Sequence, residues 1–221
     1  MELSLQSGKN MFMEVTSAGV FHLVCTPEMN DIKKVLFNIL SYGFREELSI
    51  EIIMRVTGAG SVEDALGIIY KLQRIGYIKG STSVAVQNFG DADNMLTVML
   101  GRLSSIGKAV LADGDGMYVA SSGLTHESAE ELAGFSVECI NLYQKHIRLM
   151  VNNLRIGSSA FALVNPSGRS EIGVWPVYIE HLRFALIIEG LPRLQHEDFV
   201  NMIRLLYSRY SEDGNTIHTP T

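Results

Sequence analysis

The sequence predicts a mixed α/β chain: one antiparallel sheet between helices over residues 91–210, preceded over 1–90 by a small unit of short helices and strands. Three observations carry this. With 221 residues, 47% of them apolar, 19% charged and only five prolines, the chain is neither disordered nor fibrous, and it buries a core without staples. Its hydrophobic period switches from helical to alternating after Gly107. A long proline-free helical pattern, Thr125 to about Val151, then separates a hairpin from three further strand-like runs.

Taken in order, Asn10–Val24 mixes Met, Phe, Val and Leu around Ser17-Ala18-Gly19 and reads as two short strands with a turn. Asn30 or Asp31 caps a helix whose positions Ile32, Val35, Leu36, Ile39 and Leu40 share one face, and Gly43 ends it. A second helix spans about Ser49 to Val56. Ser61 opens a third, with Asp64 in the acid position of a capping box and a stripe of Val62, Ala65, Leu66, Ile69, Leu72 and Ile75. Gly76 breaks it before Tyr77-Ile78. Residues 81–93 are polar, with Val84 and Val86 as strand material and a domain boundary near Phe89–Asp91.

Helical spacing resumes at Met95, Leu96, Met99, Leu100, Leu103 and Ile106, so about Asp93–Ser105 forms a helix. Lys108–Ala112 and Met117–Ser121 are extended runs joined by Asp113-Gly114-Asp115-Gly116, a hairpin turn whose glycines supply positive backbone angles. The long helix follows. Glu127, Glu130 and Glu131 gather near its start and Lys145, His146 and Arg148 toward its end, where each sign complements the helix dipole. It carries two apolar stripes: Ala129, Leu132, Ala133, Ile140, Tyr143, Ile147 and Met150, interrupted by Ser136, and Phe135, Cys139, Leu142 and Leu149. A helix lying on a sheet needs only one. The second stripe, Phe135, Cys139, Leu142 and Leu149, therefore asks for a partner, either a second copy or another part of the chain. Strands return at Ser159–Val164, Glu171–Ile179 and His181–Glu189, and residues 196–210 close the unit with a helix bearing Phe199, Ile203, Leu206 and Tyr210 on one face. Residues 211–221 are a polar, flexible tail.

Chemistry is not signalled. Six histidines show no H-x-x-x-H or H-E-x-x-H spacing. Glu127 and Glu130 beside His126 are explained by capping and the dipole, and Asp113 and Asp115 lack the later ligands of a calcium loop. Gly58-Ala59-Gly60 begins like a dinucleotide fingerprint, but Glu63 stands where its last glycine belongs. There is no Walker loop and no G-x-S-x-G, and Cys25 and Cys139 have no predictable base. No catalysis, metal or cofactor is expected. Glu2 near the start is unlike a secretory signal, no apolar stretch is long enough to span a membrane, and two isolated thiols suit a reducing cytoplasm. A net charge of −6 gives no overall pull toward nucleic acid.

The run Gly107–Leu124, with its strand into Asp113-Gly114, its second strand ending Ala120-Ser121-Ser122-Gly123, and the Glu-rich helix start after it, resembles the roadblock/dynein light chain family. The resemblance covers about half the chain. It departs later, where Pro166, Trp175 and Pro176 make the third and fourth strands irregular and leave their register open. It implies a non-catalytic platform that forms homodimers by pairing the long helices and joining two sheets, and that docks a small Ras-like GTPase. Asn30–Val86 is similar in pattern to a winged-helix module, which as an alternative implies a DNA-binding transcription regulator dimerised by its C-terminal domain. Lys71, Arg74 and Lys79 are then the nucleic-acid patch. Residues 1–90 hold eight basic and nine acidic side chains, net −1, with Glu63 and Asp64 at the start of the third helix, so nucleic acid is the less favoured partner.

Overall fold

The computed structural model describes residues 11–43, 46–82 and 91–211. They gather into two compact units, residues 11–23 with 28–43 and 46–82, and residues 24–27 with 91–211.

The first unit runs β1 (Phe12–Val15), α1 (Ser17–Val24), α2 (Asp31–Asn38) continuing as a π-helical turn over Ile39–Gly43, α3 (Ile50–Thr57), α4 (Val62–Arg74) and β2 (Ile78–Ser81). Strands β1 and β2 pair antiparallel, Phe12 opposite Ser81 and Val15 opposite Ile78. The helix starts follow their caps: Asn30 accepts from the Lys33 amide, Ser49 from Ile52 and Ser61 from Asp64. Gly58 ends α3 in the left-handed region at φ 63°. The stripe expected on α4 is buried only at Ala65 and Leu72, while Val62 and Ile75 at its ends are exposed. Leu66 and Ile69 between them are half-buried.

One expectation is corrected. Within the run expected to form two strands, Phe12–Val15 is a strand and Ser17–Val24 a helix. Thr16 caps the helix, its Oγ1 accepting from the Gly19 amide and its carbonyl from the Val20 amide. Gly19 is no turn residue; it lies inside α1 where the chain passes the Tyr77 carbonyl, and any Cβ there would collide with that oxygen. Val20, Leu23 and Val24 are buried. So short an apolar run has too few periods to distinguish strand from helix. The strand material at Val84 and Val86, the linker up to Gly90 and the tail after Ser211 lie outside the described residues.

The second unit runs α5 (Ala92–Leu103), β3 (Ala109–Ala112), β4 (Tyr118–Ser122), α6 (His126–Asn152), β5 (Phe161–Val164), β6 (Ser170–Ile179), β7 (Leu182–Glu189) and α7 (Glu197–Tyr210). Its sheet has five strands in the order β4-β3-β7-β6-β5, all neighbours antiparallel. At the expected hairpin, the Asp113 side chain accepts from the amides of Asp115 and Met117, and Gly116 takes φ 89°. Of the strands whose register the sequence left open, β5 pairs β6 from Phe161 opposite Val174 to Leu163 opposite Ile172 and then shifts, so that Val164 lies opposite Ser170; between β6 and β7 the pairing is continuous, from Ile172 opposite Glu189 to Ile179 opposite Leu182. Pro176 is tolerated because β5 stops opposite Val174, leaving β6 a neighbour on one side only.

Alternation along the strands divides the core in two. On one face Val110, Ala112, Val174, Ala185 and Ile187 pack with Ala129, Ala133, Val137 and Ile140 of α6. Their alternates, Leu111, Val177, Phe184, Leu186 and Ile188, turn to the other face, where α5 and α7 bury Leu96, Leu100, Leu103, Phe199, Met202, Ile203 and Leu206. Phe184 packs on Tyr210 with ring centroids 5.1 Å apart.

Candidate functional site

Helix α6 is the element that the fold leaves incomplete. It has 27 residues, starts at the Thr125 cap, whose side chain accepts from the Ser128 amide, and is buried at only Ala129, Ala133, Ser136, Val137 and Ile140. From Asn141 to Asn152 only Tyr143 and Met150 are even half-buried.

The second stripe is found on the face turned away from the sheet. Phe135, Leu142 and Leu149 recur every seven residues, two helical turns, and are 43%, 59% and 50% exposed. Cys139, beside them, is half-buried; burial and then the neighbouring Glu138 carboxylate push its thiol pKa up, so it is a poor nucleophile. The apolar surface extends beyond the residues that sequence singled out. Ile147 and Val151 belong to the sheet-facing side but are exposed, because the helix outruns the sheet, and Leu154 and Ile156 follow them into solvent. Strand β5 is an edge, and its residues Leu163 and Val164, between which the pairing with β6 shifts, are both exposed, Val164 at 61%. An alternating strand pattern gives no hint of this, since it does not tell which strand ends the sheet.

A polar network anchors the exposed half of α6. The Arg183 guanidinium on β7 donates to Asn141 Oδ1 at 2.8 Å, Gln144 Oε1 at 2.9 Å and the Gly114 carbonyl at 3.3 Å. Gln144 Nε2 in turn donates to the Tyr178 hydroxyl at 2.9 Å, so the helix is held over the sheet by directional bonds where apolar packing has run out.

The remaining sequence candidates are placed as follows. Lys71 and Arg74 are exposed in the last turn of α4, whereas Lys79 on β2 pairs with Glu14 at 3.4 Å, across the strand pair. Gly58-Ala59-Gly60 joins a helix end to a helix cap, the setting of a turn and not of a phosphate loop. His126 accepts or donates with the Tyr118 hydroxyl at 2.6 Å and lies 3.5 Å from Glu130 one turn on, and no group of three metal-ligating side chains occurs among the described residues. Trp175 lies across Gly173, and Phe184 is buried. No helix among the described residues is long and apolar enough to cross a membrane.

Among the described residues the unit thus has an exposed apolar helix face and a sheet edge strand with a neighbour on one side only, on a five-stranded antiparallel sheet with one long helix on one side and two helices on the other. Solved structures similar to the chain include the Roadblock/LC7 domain from Streptomyces avermitilis, 14% identical with a TM-score of 0.36 over 52% of this chain and 92% of that one. They also include Myxococcus xanthus MglB, 10% identical with a TM-score of 0.37 over 62% of this chain and 99% of that one. No family model and no curated protein matches the chain.

Proposed function

We propose that this chain is a non-catalytic, cytoplasmic regulatory scaffold that forms a homodimer through its roadblock-like domain, residues 91–210, and docks a small Ras-like GTPase. The single observation that carries the reading is the exposed Phe135–Leu142–Leu149 stripe on α6, flanked by Cys139 and lying in the same unit as the edge strand β5. Covering such side chains contributes roughly 1.5–3 kcal/mol each as an upper guide, and an edge strand supplies unpaired backbone groups for a second sheet. The GTPase enters through the sequence resemblance of Gly107–Leu124 alone. Residues 1–90, read as a winged-helix-like module, add a second contact. The platform would act by ordering or anchoring the GTPase, not by offering it a catalytic residue.

Two measurements test this. Sedimentation over a concentration series gives the oligomeric state, and a single copy at micromolar concentration removes the dimer. Capture of a Ras-like GTPase loaded with GTP or GDP tests the docking role, and failure with both removes that part. The alternative, a DNA-binding regulator using Lys71, Arg74 and Lys79, predicts salt-sensitive duplex binding lost on Lys71→Ala with Arg74→Ala. It is the weaker reading, because Lys79 is already paired with Glu14 and residues 1–90 carry no net positive charge.

A further inference from the structure

The far end of α6 differs in charge from the rest of the molecule. Over residues 139–170 the chain has Lys145, Arg148, Arg155 and Arg169 and not one acid, a net +4 in 32 residues, whereas the remainder carries a net −10. All four cations are exposed, and among the described residues none of them forms an ion pair. Lys145 and Arg148 stand three apart on α6, where like charges repel. The helix dipole does not account for them, because its pull is confined to the last turn, residues 149–152, and no basic residue lies there.

Apolar side chains stand among these cations. Val151, Leu154 and Ile156 are 44%, 56% and 46% exposed. Past Asn152 the chain doubles back along the helix it has just left. Arg155 takes the left-handed φ of 55°, the Ile156 amide donates to the Met150 carbonyl at 3.0 Å, and the Tyr143 hydroxyl donates to the Ser158 carbonyl. Leu154, Arg155 and Ile156 are thereby held beside the last turns of α6 instead of trailing from it, in a backbone conformation that a residue other than glycine seldom takes. The result is a projecting end and not a groove, since every residue from Val151 to Ser158 is exposed.

We infer that this end of α6 docks on an anionic lipid bilayer, with Lys145, Arg148 and Arg155 over the lipid phosphates and Val151, Leu154 and Ile156 entering the layer beneath them. Charge complementarity sets the sign of the partner: an acid-free, cationic end on an otherwise acidic chain is drawn to a negative surface. The aliphatic side chains choose among negative partners. They add nothing against the phosphates of a nucleic acid, and against a folded acidic protein a projecting end needs a matching hollow. A fluid bilayer closes round a convex shape and has an apolar layer below its phosphates. Three cations alone would adsorb loosely, so the aliphatic insertion is the second signal that stable attachment needs. The inference goes beyond the platform proposed above and does not need it. Val151, nine residues on from Leu142, lies on the opposite side of the helix, so this surface and the Phe135–Leu142–Leu149 stripe are separate.

The test is co-sedimentation of the full chain with vesicles of phosphatidylcholine, alone or with about one-third phosphatidylserine, at about 0.1 M salt. The chain is expected on the anionic vesicles at least roughly tenfold more than on the neutral ones, and to lose most of that preference at about 0.5 M salt. Arg148→Gln with Arg155→Gln lowers the partition coefficient roughly twentyfold, since each cation near such a surface contributes about fivefold, whereas Arg148→Lys with Arg155→Lys keeps it. Leu154→Asn with Ile156→Asn lowers it roughly tenfold at unchanged charge, which adsorption by charge alone would not show. Equal binding to both vesicles, no binding to either, or indifference to either the glutamine or the asparagine pair overturns the inference. So does capture of polyglutamate or duplex DNA by a chain that leaves anionic vesicles unbound. Unchanged melting temperatures of the variants show that the loss belongs to binding and not to folding. Sedimentation without vesicles reads the homodimer separately, so the two readings fail independently.

Discussion

The two sides of the sheet in residues 91–211 are finished in opposite ways. Helix α7 is 14 residues long and buries eight of them, among them Phe199, Met202, Ile203, Leu206 and Tyr207. Helix α6 is nearly twice that length and buries five, mostly small, while its large apolar residues face outward. The polar groups repeat the contrast. On the α7 side Asp198 is buried and ion-paired with Arg102 at 3.4 Å, and Ser104 donates to the Glu189 carbonyl at 2.7 Å. Burial, with the Glu180 carboxylate nearby, pushes the Tyr207 hydroxyl far above the usual tyrosine range, so it stays protonated at any physiological pH. On the α6 side the Ser136 hydroxyl is fully buried with no hydrogen-bond partner among the described residues. The lesson is that α7 packs its large apolar residues into the core, whereas α6 covers the sheet with small residues and leaves its large apolar ones outward.

The contrast breaks most visibly on the completed side. Phe199→Ala is expected to cost about 3–5 kcal/mol, seen as a lower urea midpoint for the sheet unit; a loss below about 1 kcal/mol would mean that α7 is not the structural side. On the open side, Leu142→Asp should leave the urea midpoint of the monomer nearly unchanged while weakening self-association by roughly a hundredfold, since an apolar contact is lost twice in each dimer. A folding defect of the Phe199→Ala size at Leu142 would erase the distinction. Ser136→Ala sharpens it further. Removing a buried, unpaired hydroxyl should stabilise the unit by about 1 kcal/mol, a melting temperature a few degrees higher.

The smallest effect belongs to the first unit, and it separates the two units by pH. Burial, and then the Lys33 ammonium, hold the His22 imidazole below its ordinary value of 6.5, while its ring stacks on Tyr77 at 4.9 Å. Because the folded value is depressed, the unfolded chain takes up the proton first. The contribution of His22 is therefore complete above pH 6.5 and is lost as pH falls through the folded value. Amide protection factors in β1, α1 and β2, with each exchange rate taken relative to its intrinsic rate at the same pH, should fall on acidification below pH 6.5, and His22→Phe should flatten that dependence; an equal slope in the variant would assign it to another group.

Much of this was legible in the residues. Ser49, Ser61 and Thr125 announce helices because a short hydroxyl next to an apolar period has one good use, to satisfy the first free amides. The Asp113–Gly116 turn is equally local, its aspartate binding the amides two and four residues on. The stripe Phe135, Leu142, Leu149 was legible as surplus, since a sheet can bury only one side of a helix. Residues 17–24 were not legible as a helix, because what settles them is the Tyr77 carbonyl passing Gly19 from 58 residues away. Nor were Leu163 and Val164 legible as surface, since only the strand order puts β5 at the edge.

By itself, then, the sequence determined the helices from α2 onward, the caps at Ser49 and Ser61, the hairpin turn and the existence of a second greasy stripe, all features written within a few residues of one another. Tertiary structure decided which strands are neighbours, that Pro176 falls beyond the end of β5, that α6 outruns its sheet, and that Arg183 reaches Asn141 and Gln144 to hold it there. Those depend on residues far apart in the chain arriving at one place, and no local period or spacing encodes that.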